Sequence, residues 1–158
     1  MIGTKQPGPL LIFIASPFVA LIMTMTLRSA EGQATSNSTN AESRSYEFFK
    51  TKVQPIFLKN RAEHARCYGC HILPNRIFHL EPLSPGSTDW NDEQSRRNFE
   101  AARREVVPGN PQASRLLMHP LAEEAGGDSM HSGGKHWDSQ NNREWQAMAE
   151  WVRGQKTP

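Results

Sequence analysis

The apolar positions change their pattern several times along the chain. Residues 10–27, LLIFIASPFVALIMTMTL, are uncharged and apolar on every side, and Arg28 closes them. Eighteen such residues are enough for a slightly short membrane span, and Pro17 need not break a helix in lipid. Residues 1–28 are therefore expected to form a transmembrane signal anchor. Cleavage after a small residue such as Ala30 or Ala34 is the alternative. Residues 31–45, EGQATSNSTNAESRS, show no apolar period and have the composition of a tether. The expected division is an anchor over 1–28, a flexible linker over 29–45 and one domain over 46–158.

Within the domain the period becomes helical. Phe49, Val53, Ile56 and Phe57 share one face of a helix expected over roughly 47–60, and Pro55 should kink or interrupt it. A loop rich in proline and glycine follows through Trp90. A second helix is expected from Asn91, where Asn91 and Gln94 can form a capping box. Phe99, Ala102 and Val106 recur on its inner face, and Val107-Pro108-Gly109-Asn110-Pro111 stops it. Ser114 opens a short helix ended by Pro120, and 123–136 is a glycine-rich excursion. Trp145, Met148, Ala149 and Val152, at i, i+3, i+4 and i+7, predict a terminal helix that should pack near the first. Asn141 and Glu144 are its expected capping box and Gly154 its C-cap. The fold class is all-α, plus the anchor.

Charge changes this picture little. The chain has 18 basic and 16 acidic residues. Lys5 and Arg28 apart, the two signs balance at 16 each. There is no basic run and no interleaving of aromatic with basic residues, so nucleic acid is not an expected partner.

The chemistry sits at Cys67-Tyr68-Gly69-Cys70-His71. This is a CxxCH run, the attachment signature of a c-type haem. Two thiols at this spacing reach the two vinyl groups of a porphyrin, and the next imidazole turns under the ring to ligate iron. Cys67 and Cys70 are thus the expected covalent attachment points of one haem c, and His71 an axial ligand. No cysteine remains for a structural disulfide. A redox-active dithiol and half of a zinc site are the competing readings of the pair. The adjacent histidine and the export-like segment favour haem, which also directs the domain to the periplasm.

The second axial position has several candidates. His131 lies between Gly126-Gly127 and Gly133-Gly134, which would let backbone approach the ring closely. It is the leading candidate. Met130, Met118 and His119 are the alternatives, followed by His136 and, less readily, His64 and His79. Leu73, Ile77, Phe78 and Leu80 are expected haem-wall residues. Arg76, Trp90, Trp137 and Lys135 could donate to a propionate.

Three stretches carry a resemblance. Phe48 to Phe57 reads F-F-x-x-x-V-x-P-I-F, Val106 to Leu117 reads V-x-P-G-x-P-x-x-S-x-L-L, and Trp151 to Gly154 reads W-V-x-G. With CxxCH, they resemble the small mono-haem cytochrome c domains common in Planctomycetes and Acidobacteria, over residues 46 to 155. The resemblance implies a class I-like cytochrome c fold with long loops around one haem. Many such domains use a Met-Pro-Pro stretch for the distal ligand. Here Met130-His131-Ser132-Gly133-Gly134 stands in its place, so the resemblance implies His131 in that slot and a lower potential than methionine gives.

The expected function is single-electron transfer to or from a membrane redox complex. The architecture resembles cytochrome subunits that dock on photosynthetic reaction centres or respiratory complexes. The bilayer would be contacted through residues 10–27. No enzymatic activity and no small-molecule substrate are expected. A haem-based ligand sensor and a structural haem subunit of a membrane complex are the alternatives.

Overall fold

Pro55 shapes the first helix of the domain, though by widening it rather than by breaking it. The computed structural model describes residues 3, 8, 37–60 and 66–154. The chain divides into two units, Met1–Thr39 and Asn40–Pro158, and the second carries everything below. In that unit residues 40–58 form one helix, α1. Its middle turn, Phe49–Val53, is wound as a π-helix and its last, Gln54–Leu58, as an α-helix. The Gln54 N–H reaches back five residues to the Phe49 carbonyl. Proline has no N–H and its ring crowds the carbonyl four residues earlier, and a wider turn relieves both.

The helix also begins earlier than its apolar period. Residues 40–45, read from composition as the end of the linker, are helical. Tertiary contacts account for this. Glu42 pairs with Arg103 at 3.7 Å, and the Trp151 indole N–H meets the Ser45 carbonyl and hydroxyl at 3.2 Å. The proposed membrane span at 10–27, residues 29–36 of the linker and His64 lie outside the described residues. Among the described residues no helix is long and apolar enough to cross a membrane.

Among the described residues four more α-helices follow, α2 (Cys67–His71), α3 (Asp92–Arg103), α4 (Arg115–Met118) and α5 (Arg143–Gly154), with short 3-10 turns at Pro111–Ala113 and Glu123–Ala125. There is no strand among the described residues, only two isolated bridges, Val107 with Asn110 and Leu121 with Trp137. The all-α class is therefore seen at this level. The expected capping box of α3 is present. Asn91 Oδ1 accepts from the Gln94 N–H at 2.9 Å, and Gln94 Oε1 accepts from the Asn91 N–H at 3.0 Å. Helix α3 ends at Arg103, before Val106, which is buried from the segment beyond it. At α5 the cap falls one residue later than expected, on Asn142, whose Oδ1 accepts the Glu144 N–H at 2.9 Å. The Glu144 carboxylate is turned instead to Lys59 and to the Trp137 indole. Gly154 is itself helical.

The core lies where α1, α3 and α5 meet. Phe49 is completely buried, with ring centres at 5.4 Å to Phe99, 5.2 Å to Trp151 and 6.1 Å to Phe57. Helices α1 and α5 thus pack together as their apolar stripes require. Polar side chains of α3 pin the proline-rich loop to this core. Asn98 accepts the Glu81 N–H at 2.8 Å, and Gln94 donates to the Pro82 carbonyl at 2.8 Å. Within the core Gln54 donates to Ser95 Oγ at 3.0 Å.

Candidate functional site: two facing histidines over a cysteine pair

The CxxCH run is one turn of helix, so Cys67, Cys70 and His71, at i, i+3 and i+4, lie on one side of it. That side opens on a cavity of about 270 Å³ lined by all three. Tyr68 points the other way. Its hydroxyl accepts the Leu83 N–H at 3.0 Å, and its ring meets Trp90 at 5.7 Å. The second residue of the motif thereby ties the helix to the loop that follows.

That loop doubles back under the site, and the Leu80 N–H donates to the His71 carbonyl at 2.8 Å. It brings the Phe78 carbonyl to 2.8 Å from His71 Nδ1 and the Phe78 ring to 4.8 Å from the imidazole. A carbonyl only accepts, so Nδ1 carries the proton and Nε2 the lone pair.

His131 repeats this arrangement from the opposite wall. Its Nδ1 donates to the Gly134 carbonyl at 2.6 Å, which leaves the lone pair on Nε2. Gly134 holds a φ of +75°, a left-handed conformation that suits glycine, and its own N–H returns to the His131 carbonyl at 2.9 Å. Gly127 is needed for another reason. A Cβ there would lie 2.0 Å from the Leu121 carbonyl oxygen, so the glycine-rich segment seats directly on the backbone after α4.

The two rings face each other across the cavity. Their centres are 6.5 Å apart and their planes differ by 13°. Two imidazoles bonded to one metal ion at about 2 Å each would have ring centres roughly 6 Å apart, so the observed separation is compatible with both histidines holding one ion. Burial holds both imidazoles below the ordinary histidine value, which favours the neutral, ligating form near pH 7.

The cavity wall is built from separate elements: Ile56 and Phe57 of α1, Leu116 of α4, Met148 of α5, and Phe78 and Trp137 from the loops. Arg66, Asn75, Arg76, Arg115 and Glu105 complete its polar lining. An apolar slot between two histidines, with three guanidinium groups on its lining, suits a flat apolar ring that bears carboxylates. Among the described residues no group of three or more His, Cys, Asp or Glu side chains is placed to hold a metal ion by itself.

The sequence candidates separate clearly. Cys67, Cys70, His71, Arg76, Phe78, Ile77, His119, His131, His136 and Trp137 all line the cavity. Met118 does not; it packs half-buried against the core. Met130 is 79% exposed although it is adjacent to His131. Leu80 is core rather than wall, fully buried beyond the His71 turn, and Leu73 faces solvent. Trp90 is also outside the cavity, its indole N–H donating to the Glu81 carbonyl at 2.6 Å. The Trp137 indole N–H goes to Glu144 at 3.1 Å. His79 bonds the Leu73 carbonyl at 3.2 Å, and Lys135 pairs with Asp138 at 3.0 Å. Arg66, Asn75, Glu105 and Arg115 were not expected. Arg66 and Asn75 lie close to the CxxCH turn in sequence, whereas Glu105 and Arg115 reach the site from the segment after α3 and from α4, where no local motif marks them. Compared with protein-family models, curated proteins and solved structures, the chain matches none.

Proposed function

We propose that this protein is a mono-haem c-type cytochrome of class I-like fold that carries single electrons. The observation that carries the reading is the near-parallel pair His71 and His131, 6.5 Å apart, over the Cys67 and Cys70 thiols of one cavity. Cys67 and Cys70 would hold the haem as thioethers, with His71 and His131 as its axial ligands. Bound haem supplies a one-electron ferric/ferrous couple, and the protein tunes its potential through ligand identity, hydrogen bonding and burial.

The chain's own residues supply the rest. The Phe78 and Gly134 carbonyls orient the two imidazoles and raise their basicity by accepting from Nδ1. Phe57, Phe78, Leu116, Trp137 and Met148 line the cavity and would exclude water from a bound ring. Arg76 and Arg115 offer charge to carboxylates at its edge. Two neutral nitrogen ligands, in place of one nitrogen and one thioether, favour the ferric state and a lower potential. We further propose that residues 10–27 tether this domain to the periplasmic face of a membrane. There it would exchange electrons with a membrane redox complex, the tether raising its local concentration.

The test is near-infrared magnetic circular dichroism of the oxidised full-length protein, produced in a host that attaches haem c. A bis-histidine charge-transfer band is expected, together with the pyridine haemochrome spectrum of a haem with both vinyl groups saturated. A histidine–methionine band would move the distal ligand to Met118 or Met130. A high-spin spectrum would put ligand sensing ahead of electron transfer. A chain that acquires no covalent haem would overturn the proposal.

A further inference from the structure

His131 is ringed by groups that neither CxxCH nor the glycine pattern identifies. Its loop is closed at the base by hydrogen bonds from the His136 N–H to the Pro120 carbonyl (2.7 Å) and from the Ala122 N–H to the Trp137 carbonyl (2.8 Å). At the tip, the Gly134 carbonyl that holds His131 belongs to the same loop. It moves with the histidine and cannot fix the ring's orientation relative to His71. Something outside the tip has to do that.

Asp128 and His119 are placed to do it. Asp128 Oδ1 accepts the Met130 N–H at 2.6 Å, Oδ2 accepts from His119 Nδ1 at 2.6 Å, and the Asp128 N–H donates to the Met118 carbonyl at 3.1 Å. One carboxylate thus joins the backbone beside His131 to the C-terminal end of α4. The His119 ring, fixed by that carboxylate, stands edge-on to the His131 ring, with centres 4.9 Å apart and planes at 64°. His136 also lies against His131, at 5.5 Å, but it belongs to the loop.

We propose that Asp128 and His119 are positioning residues for the distal histidine: the carboxylate locks the His119 ring, and that ring sets the rotation of the His131 imidazole relative to His71. This rests on the reading of His131 as the distal haem ligand. It gives His119 a role other than the ligand role its position in the sequence allows. Asp128 acts on the cofactor only through other residues.

The test uses haem-loaded, full-length Asp128→Ala, His119→Leu and His119→Phe proteins. Asp138→Ala is the control, since it removes a surface pair of the same loop that does not touch His119. Low-temperature EPR of the ferric form reports the angle between the two imidazole planes, a readout that general loosening of the fold does not supply. The wild type should give the rhombic low-spin signal of near-parallel planes. Asp128→Ala and His119→Leu should shift to the large-gmax signal of crossed planes or to high spin. Their ferrous forms should bind CO about tenfold faster, the factor expected on losing one charge-assisted hydrogen bond. His119→Phe keeps an aromatic edge but loses the carboxylate's hold, and should fall between them. Asp138→Ala should match the wild type. Unchanged EPR and CO kinetics in both Asp128→Ala and His119→Leu would overturn the proposal, as would an equal change in Asp138→Ala. A wild-type chain without a haemochrome spectrum would overturn the underlying reading, and this inference with it. The absence of haem distinguishes that failure from an unaltered haem signal.

Discussion

At the residue scale, His71 and His131 are prepared in the same way, by a backbone carbonyl on Nδ1, but they are held differently. His71 is fixed by a helical turn and a loop that packs on the core, and His131 by a glycine-rich loop tied to the end of α4 through Asp128. Exchange at the distal side should therefore be tolerated better. On the proposed haem reading, His131→Met should leave covalent attachment intact and raise the reduction potential, since thioether sulfur favours ferrous iron; spectroelectrochemistry reads the shift. His71→Met should reduce the yield of haem-bearing protein. A second residue-scale prediction concerns acid. Hydrogen bonds from Lys50 and Tyr46 hold the Asp92 carboxyl below the usual carboxylate range. A lowered folded-state pKa gives stability that is complete above the unfolded value of about 3.9 and is lost as pH falls through the folded value. The gap in Tm between wild type and Asp92→Asn should thus be constant above about pH 5 and close below about pH 4. A gap that widens towards acid would contradict the assignment.

At the element scale, most helix signals were local and were legible as such. Asn91 and Gln94 form their capping box because both partners lie within one turn. Asn91→Ala should cost about 1 kcal/mol in urea unfolding. The stripe of α5 is buried as its spacing requires. The misplaced features are those that depend on neighbours. Pro55 reads as a break, yet the helix continues, because Phe49 and Val53 on one side of it and Ile56 and Phe57 on the other are all buried. Their burial outweighs the cost of a π turn. Residues 40–45 read as linker because the groups that fix them, Arg103 and Trp151, lie far along the chain. Gly127 shows the same limit. Its place in the sequence suggests close approach of backbone to the ring, whereas the structure uses it for contact with the Leu121 carbonyl. Gly127→Ala should lift the segment from that backbone and lower Tm, with loss of the wild-type distal-ligand spectrum; a variant matching the wild type in both would remove this role.

At the scale of the whole molecule, the domain has one core, and the cavity opens from one side of it. The aromatic cluster of Phe49, Phe99 and Trp151 is continuous with the cavity through Phe57, which packs on Phe49 and lines the cavity. The cavity wall draws on α1, α4, α5 and two loops. A bound ring would fill the cavity and add contacts between those elements. A Cys67→Ser/Cys70→Ser chain purified without haem should therefore keep slow amide exchange in α1, α3 and α5. It should exchange faster over 66–80 and 115–137. Hydrogen-exchange mass spectrometry checks this, and uniform loss of protection would mean that the aromatic part of the core is not held without the bound ring. Lys5 and Arg28 apart, the basic and acidic residues balance, so net charge gives the molecule no strong preference for a partner of either sign.

The sequence alone determined what lies in short range. CxxCH set the thiols and His71 on one turn, heptad-like spacing set the buried faces, and side chains three residues apart set a helix start. Each depends on backbone geometry over a turn or two, which is the same in any fold. The tertiary structure decided which of several histidines and methionines faces His71. It put His131 opposite, turned Met130 to solvent, packed Met118 against the core, and gave His119 to Asp128. It also gathered Arg115, Leu116 and Met148 around one cavity. Those outcomes depend on how distant segments cross, and the crossing is set by the summed burial of the whole core.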